Sequence, residues 1–159
     1  MKDDKVMELL ISEFKDKLFA LVFFLIGDDR DKAYDITASS LVEAFRAARS
    51  PEDKASFLIR LISIAIEKSR TAKIIPFSDE TEYADFSTEK RKSLLMVKKA
   101  LQELPFNEKA LLLLPDQLHL PHGDISAIFR MSEGDIRSQT VRARIHIRKK
   151  VEEVLSGGG

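Results

Sequence analysis

The stretch from His122 to Lys150, HGDISAIFRMSEGDIRSQTVRARIHIRKK, decides how this chain is read. Asp124 to Phe129 sets Ile125, Ile128 and Phe129 on one face of a short helix, Arg130-Met131-Ser132 has the length of a tight turn, and Glu133 opens a second, longer helix. Ser132 is the expected N-cap of that second helix. Its hydroxyl can accept from an orphan N–H of the first turn, and Asp135 stands three residues on as a short capping-box acid. The carboxylates of Glu133 and Asp135 also suit the positive end of the helix dipole. Ile136, Thr140, Ala143 and Ile147 recur at four, three and four residues and form a narrow inward stripe.

The other side of the second helix is basic. Arg137, Arg142, Arg144, His146, Arg148, Lys149 and Lys150 line it, and its first turns expose Glu133, Arg137, Ser138 and Val141, groups that can approach base edges in a major groove. A solvated C-terminal helix would explain the cations alone, because Lys and Arg suit a negative helix end. It does not explain the short helix and capped turn in front. The whole arrangement is that of a DNA-binding helix-turn-helix, with Glu133, Arg137, Ser138, Val141, Arg142, Arg144 and Arg148 as candidate DNA contacts.

Composition narrows the class. Of the 159 residues 44% are hydrophobic, as in globular proteins, and 26 Lys and Arg balance 26 Asp and Glu. A chain of zero net charge is no nonspecific polycation, so any nucleic-acid affinity must come from a local basic surface. There is no cysteine, which excludes disulfides, Cys zinc sites and a thiol nucleophile, and fits a reducing cytoplasm. The longest apolar run, Leu18 to Ile26, is too short to span a bilayer and has no cleavage site after it. A cytoplasmic protein without membrane insertion is expected. The histidines His119, His122 and His146 lack zinc-site spacing with carboxylates, and no phosphate loop or nucleophile motif is present. No enzyme activity, catalytic residue, metal or cofactor is therefore expected.

Upstream, the chain reads as helix throughout. Val6, Leu9, Leu10, Phe14, Leu18, Leu21, Val22 and Leu25 predict one long amphipathic helix ended by Gly27. Asp29 or Asp31 can cap the next, from about Lys32 to Ala48, whose inward residues are Ala33, Ile36, Leu41, Ala44 and Phe45. Ser50-Pro51 reads as the cap and first position of a third, carrying Phe57, Leu58, Leu61, Ile62, Ile64 and Ala65 to about Ser69. From Arg70 to Thr88 the periodicity fails and the acids Asp79, Glu80, Glu82 and Asp85 collect, which predicts a protease-accessible linker. Helix resumes near Glu89. Asn107 is expected to cap the helix after Pro105, and Pro115 to end or kink it. The expected fold is all-α: two small helical domains, 5–70 and 89–155, joined by an acidic linker, 71–88, with the helix-turn-helix in the second.

These residues resemble a known family, the bacterial sigma factors of the extracytoplasmic-function group, which consist of region 2 and region 4. The resemblance is carried by Leu18-Phe19 through Ile26-Gly27-Asp28, Ala33-Tyr34-Asp35-Ile36 and Leu41-Val42-Glu43-Ala44-Phe45 in the first domain. In the second it is carried by Ala100-Leu101-Gln102-Glu103-Leu104-Pro105, Asp124 to Ile128, Glu133 to Ser138 and Arg142-Ala143-Arg144. It implies a transcription initiation factor whose partners are core RNA polymerase, promoter DNA and an anti-sigma factor. By position it puts Asp35, Ile36, Leu41, Val42 and Glu43 on the polymerase-facing helix, and Arg137, Ser138, Val141 and Arg142 on the DNA-facing one.

The chain departs from the family pattern at several places. Ala38-Ser39 stands where Gln-Glu is usual, and Arg60-Leu61-Ile62-Ser63-Ile64-Ala65 where the melting helix often reads Trp-Leu-Tyr-Arg-Ile-Ala, so its stacking aromatics are gone. Arg130 takes the place of a turn glycine, and Pro115 and His119 alter the helix before it. Three readings follow: an active sigma factor, a sigma-like interaction module that binds an anti-sigma factor without melting promoters, and a plain helix-turn-helix regulator.

Overall fold

The computed structural model describes residues 2–47, 54–77 and 88–157, which form seven α-helices. The first, α1 (Lys2–Ile26), buries Leu18, Leu21, Val22, Leu25 and Ile26. Gly27 ends it at φ 98°, a left-handed conformation in which its N–H still closes on the Phe23 carbonyl at 2.9 Å. Asp29 caps α2 (Arg30–Ala47): its carboxylate accepts from the Lys32 N–H at 3.0 Å. The stripe of α2 is Ala33, Ile36, Thr37, Ser40 and Ala44, and that of α3 (Lys54–Arg70) is Phe57, Leu61, Ile62, Ala65, Ile66 and Ser69. Small residues on α2 let α3 come close, and Phe45 tilts onto Phe57 at 5.3 Å. The expected cap at Ser50-Pro51 lies outside the described residues.

In the second half, α4 (Thr88–Gln102), α5 (Phe106–Leu118), α6 (His122–Phe129) and α7 (Glu133–Gly157) follow in order. Two expectations are corrected here. Pro115 does not stop α5, which runs through it to Leu118 and ends at His119 in the left-handed conformation, φ 53°. Leu111, Leu113, Leu114 and Leu118 are all buried, and packing four leucines, at about 1.5–3 kcal/mol each, outweighs the roughly 3 kcal/mol that an interior proline costs. Asn107 is not the cap either. Pro105 holds that position without a side-chain bond, and the Asn107 amide oxygen instead accepts from the Arg70 guanidinium at 2.8 Å.

The two halves pack against each other. α1 lies on α5 and α4, and α3 lies on α6, so the apolar core runs from Leu18 through Leu111 to Ile136. Between the halves, residues 72–77 are docked in a seam beside the end of α1: the Ile75 N–H donates to the Ile26 carbonyl at 3.0 Å and the Asp28 N–H to the Ile75 carbonyl at 2.9 Å. Residues 78–87, which hold all four of the linker acids, lie outside the described part.

Candidate nucleic-acid interface

The helix-turn-helix is α6, Arg130-Met131-Ser132 and α7. Arg130 closes α6 in the left-handed conformation, φ 55° and ψ 44°, with its N–H on the Ser126 carbonyl. The Met131 N–H shares that carbonyl at 3.2 Å, and the Ser126 hydroxyl donates to the Met131 carbonyl, so Ser126 holds both sides of the turn. Ser132 then caps α7, accepting from the Asp135 N–H at 3.1 Å. The turn fixes where α7 starts and which face it shows.

That face divides as the stripe predicts. Ile136, Thr140 and Ala143 are buried and Ile147 is half-buried, while the Thr140 hydroxyl satisfies itself on the Ile136 carbonyl at 2.6 Å. Glu133, Arg137, Ser138, Val141, Arg142, Arg144 and Arg148 are all exposed. Glu133, Arg137, Arg144 and Arg148 follow one flank at helical spacing, with Arg137 3.7 Å from the Glu133 carboxylate. Ser138, Val141 and Ile145 lie opposite the buried stripe, and Val141 and Ile145 are 53% and 47% exposed. Ile145 is an addition to the candidate residues. The signal was its position four after Val141.

Two members of the expected basic surface turn elsewhere. His146 Nδ1 lies 2.8 Å from Glu108 Oε2 on α5, and Lys150 lies 3.5 Å from Glu103, just past the end of α4. Both sit on the flank of α7 that packs against its own domain, so they hold α7 in place, and the charge of its exposed face comes from the arginines and Lys149.

On α2, Asp35 and Glu43 are exposed and Val42 is 47% exposed, while Leu41 is half-buried against the core. Ile36 is corrected: it is 4% exposed and belongs to the stripe that holds α2 on its neighbours, so it cannot present a side chain to a partner. Glu43 accepts from Lys68 of α3 at 2.8 Å. Tyr34, which sequence reasoning passed over, is 70% exposed and tilts against Phe19 at 5.3 Å. On α3, Phe57 is the only aromatic and is buried, and the Ser63 hydroxyl is bonded to the Ile59 carbonyl at 2.7 Å. Among the described residues no cluster of three or more His, Asp or Glu is placed to hold a metal ion, and no helix is long and apolar enough to cross a membrane.

The chain is all-α, a three-helix half packed on a half that ends in a capped turn and an exposed basic helix, which is the arrangement of a helix-turn-helix protein. Residues 94–147 match the family described as sigma-70, region 4. The chain is 25% identical to the RNA polymerase sigma-H factor of Pseudomonas aeruginosa, over 96% of this chain and 90% of that protein. Among solved structures it is similar to the sigma factor RpoE of Bartonella quintana, in complex with the anti-sigma factor NepR, at a TM-score of 0.71 and 21% identity over 93% of this chain and 98% of that one. Residues 94–147 thus match sigma-70 region 4, the chain is similar over nearly its whole length to an RNA polymerase sigma factor, and it shares the all-α fold of the sigma factor RpoE.

Proposed function

We propose that the chain is a transcription initiation factor that binds core RNA polymerase and directs it to promoter DNA, acting in the cytoplasm by binding alone. Residues 5–70 would serve the polymerase and the downstream promoter element, 89–155 the upstream element, and 71–88 connect them. The observation that carries the reading is the face of α7, where Arg137, Ser138, Val141, Arg142, Arg144 and Arg148 are exposed and the remaining side is packed. On α2 the polymerase contacts are Asp35, Val42 and Glu43, with Leu41 at their edge. An anti-sigma partner is proposed as well, since the Bartonella quintana relative is in complex with one.

The test is transcription reconstituted with core polymerase, joined to duplex titrations. Arg137→Ala is expected to weaken the preferred site by about 1–3 kcal/mol, as loss of a base contact does, whereas Arg148→Ala should weaken all sequences alike and lower the salt slope by about 1. Unchanged affinity in both variants would remove α7 as the recognition helix.

Promoter opening is expected to be weak. An unpaired base stacked on an aromatic is held by about 1–3 kcal/mol, and α3 exposes no aromatic because Phe57 is in the core. Open complexes, read by permanganate reactivity, should therefore depend on the upstream contact made through Arg137. Robust opening on templates lacking the upstream element contradicts this. The burial of Phe57 also favours the second reading, an interaction module without melting, which gains if polymerase binding is undetectable.

A further inference from the structure

Val141 and Ile145 of α7 are residues that an open helical position gains nothing from carrying. They are 53% and 47% exposed, and both are β-branched, a type that loses side-chain freedom in a helix and supports it less well than Lys, Arg or Gln. Neither belongs to the stripe that holds α7 on its domain, which is Ile136, Thr140 and Ala143. At about 100° per residue they fall with Ser138 in one strip of the helix, and between residues 138 and 145 that strip holds no charged side chain. Arg137, Arg144 and Arg148 run along one side of it, and Arg142 and Lys149 along the other, all of them exposed. Of these cations, among the described residues, only Arg137 has an ion pair, with Glu133.

Two rows of cations match the two phosphate backbones that border a groove of duplex DNA, and the strip between them then faces the base edges. Most groups on those edges are hydrogen-bond donors or acceptors, which an aliphatic side chain would desolvate with no bond in return. The exception in the major groove is the C5-methyl of thymine, which cytosine lacks. Ser138 can bond a polar edge, whereas Val141 and Ile145 gain only from a methyl group. We infer that Val141 and Ile145 are readers of pyrimidine C5-methyl groups, which makes α7 select thymine over cytosine and respond equally to 5-methylcytosine. Four residues of helix rise by about 6 Å against about 3.4 Å per base pair, so the two methyls stand roughly two base pairs apart. Each β-branched side chain already holds one χ1 rotamer in the helix, so little freedom is lost on contact. The inference deepens the proposed function and rests on it for the presence of DNA at α7.

The probe is the duplex that the full-length chain, assembled with core polymerase, enriches from a random-sequence pool. Each thymine in it is replaced in turn by deoxyuridine, which removes the methyl and keeps the hydrogen-bonding edge. At two positions, roughly two base pairs apart, affinity is expected to fall about fourfold, as loss of one buried methyl does. At the same positions a 5-methylcytosine pair should bind about fourfold better than a cytosine pair. Val141→Ala should abolish the uridine effect at one of them and Ile145→Ala at the other, with helix content by circular dichroism unchanged. Uridine tolerated at every position overturns the inference. So does a uridine effect that persists in both variants, which assigns the methyls to duplex stiffness or to another side chain. These results leave the proposed function standing. It fails, and the methyl readers with it, if the chain enriches no duplex beyond what core polymerase selects alone.

Discussion

Among the described residues Arg130 is the one whose conformation is least suited to its type. It holds φ 55° at the turn of the helix-turn-helix, where a side chain costs roughly 1–2 kcal/mol relative to glycine, and its own side chain is exposed. The two bonds of Ser126 across the turn and the Ser132 cap keep the geometry in spite of that cost. Arg130→Gly should therefore stabilise the chain by about 1 kcal/mol in urea unfolding with α7 unmoved, and destabilisation would mean that the arginine side chain does something the turn needs. The sequence pointed to this position only through its departure from a glycine. Its left-handed backbone and the double use of the Ser126 carbonyl come from the fold.

At the scale of elements, helix positions and inward stripes were legible because they depend on local spacing: Ile136, Thr140 and Ala143 are buried as their four and three spacing requires, and Ser132 caps where an N-cap residue precedes an apolar run. Errors fell where a distant element overrode a local signal. Pro115 is a helix stop by itself, and stays inside α5 because the leucines on both sides of it are buried. Asn107 is a good cap by type, but Arg70, 37 residues earlier, takes its oxygen. His146 and Lys150 carry the same charge signal as Arg148, and only the position of Glu108 and Glu103 turns them inward. Ile36 is a different case: helical spacing already placed it inward, where it is buried, and only the family resemblance had set it on the partner-facing side.

For the whole molecule, two buried ammonium groups make stability depend on pH. Burial holds Lys109 below its ordinary 10.5, and burial also lowers Lys98, opposed by Asp28 and aided by Arg30. Between the lowered value and 10.5 the unfolded chain binds more protons than the folded one, so stability rises with pH through that window, and below it the full penalty of the buried charge is present. Urea unfolding across the alkaline range should show this rise, and Lys109→Met should flatten it. Parallel curves for the two proteins would mean that Lys109 is not buried in solution. What the sequence determined by itself is the all-α class, the helix-turn-helix and its exposed arginines, because amphipathic spacing and capping act within a few residues. Tertiary structure alone decided that residues 72–77 dock between the halves and that Lys109 caps α1: these contacts join residues 84 apart in the case of Lys109 and Leu25, and no local pattern encodes which backbone carbonyl a buried amine will meet.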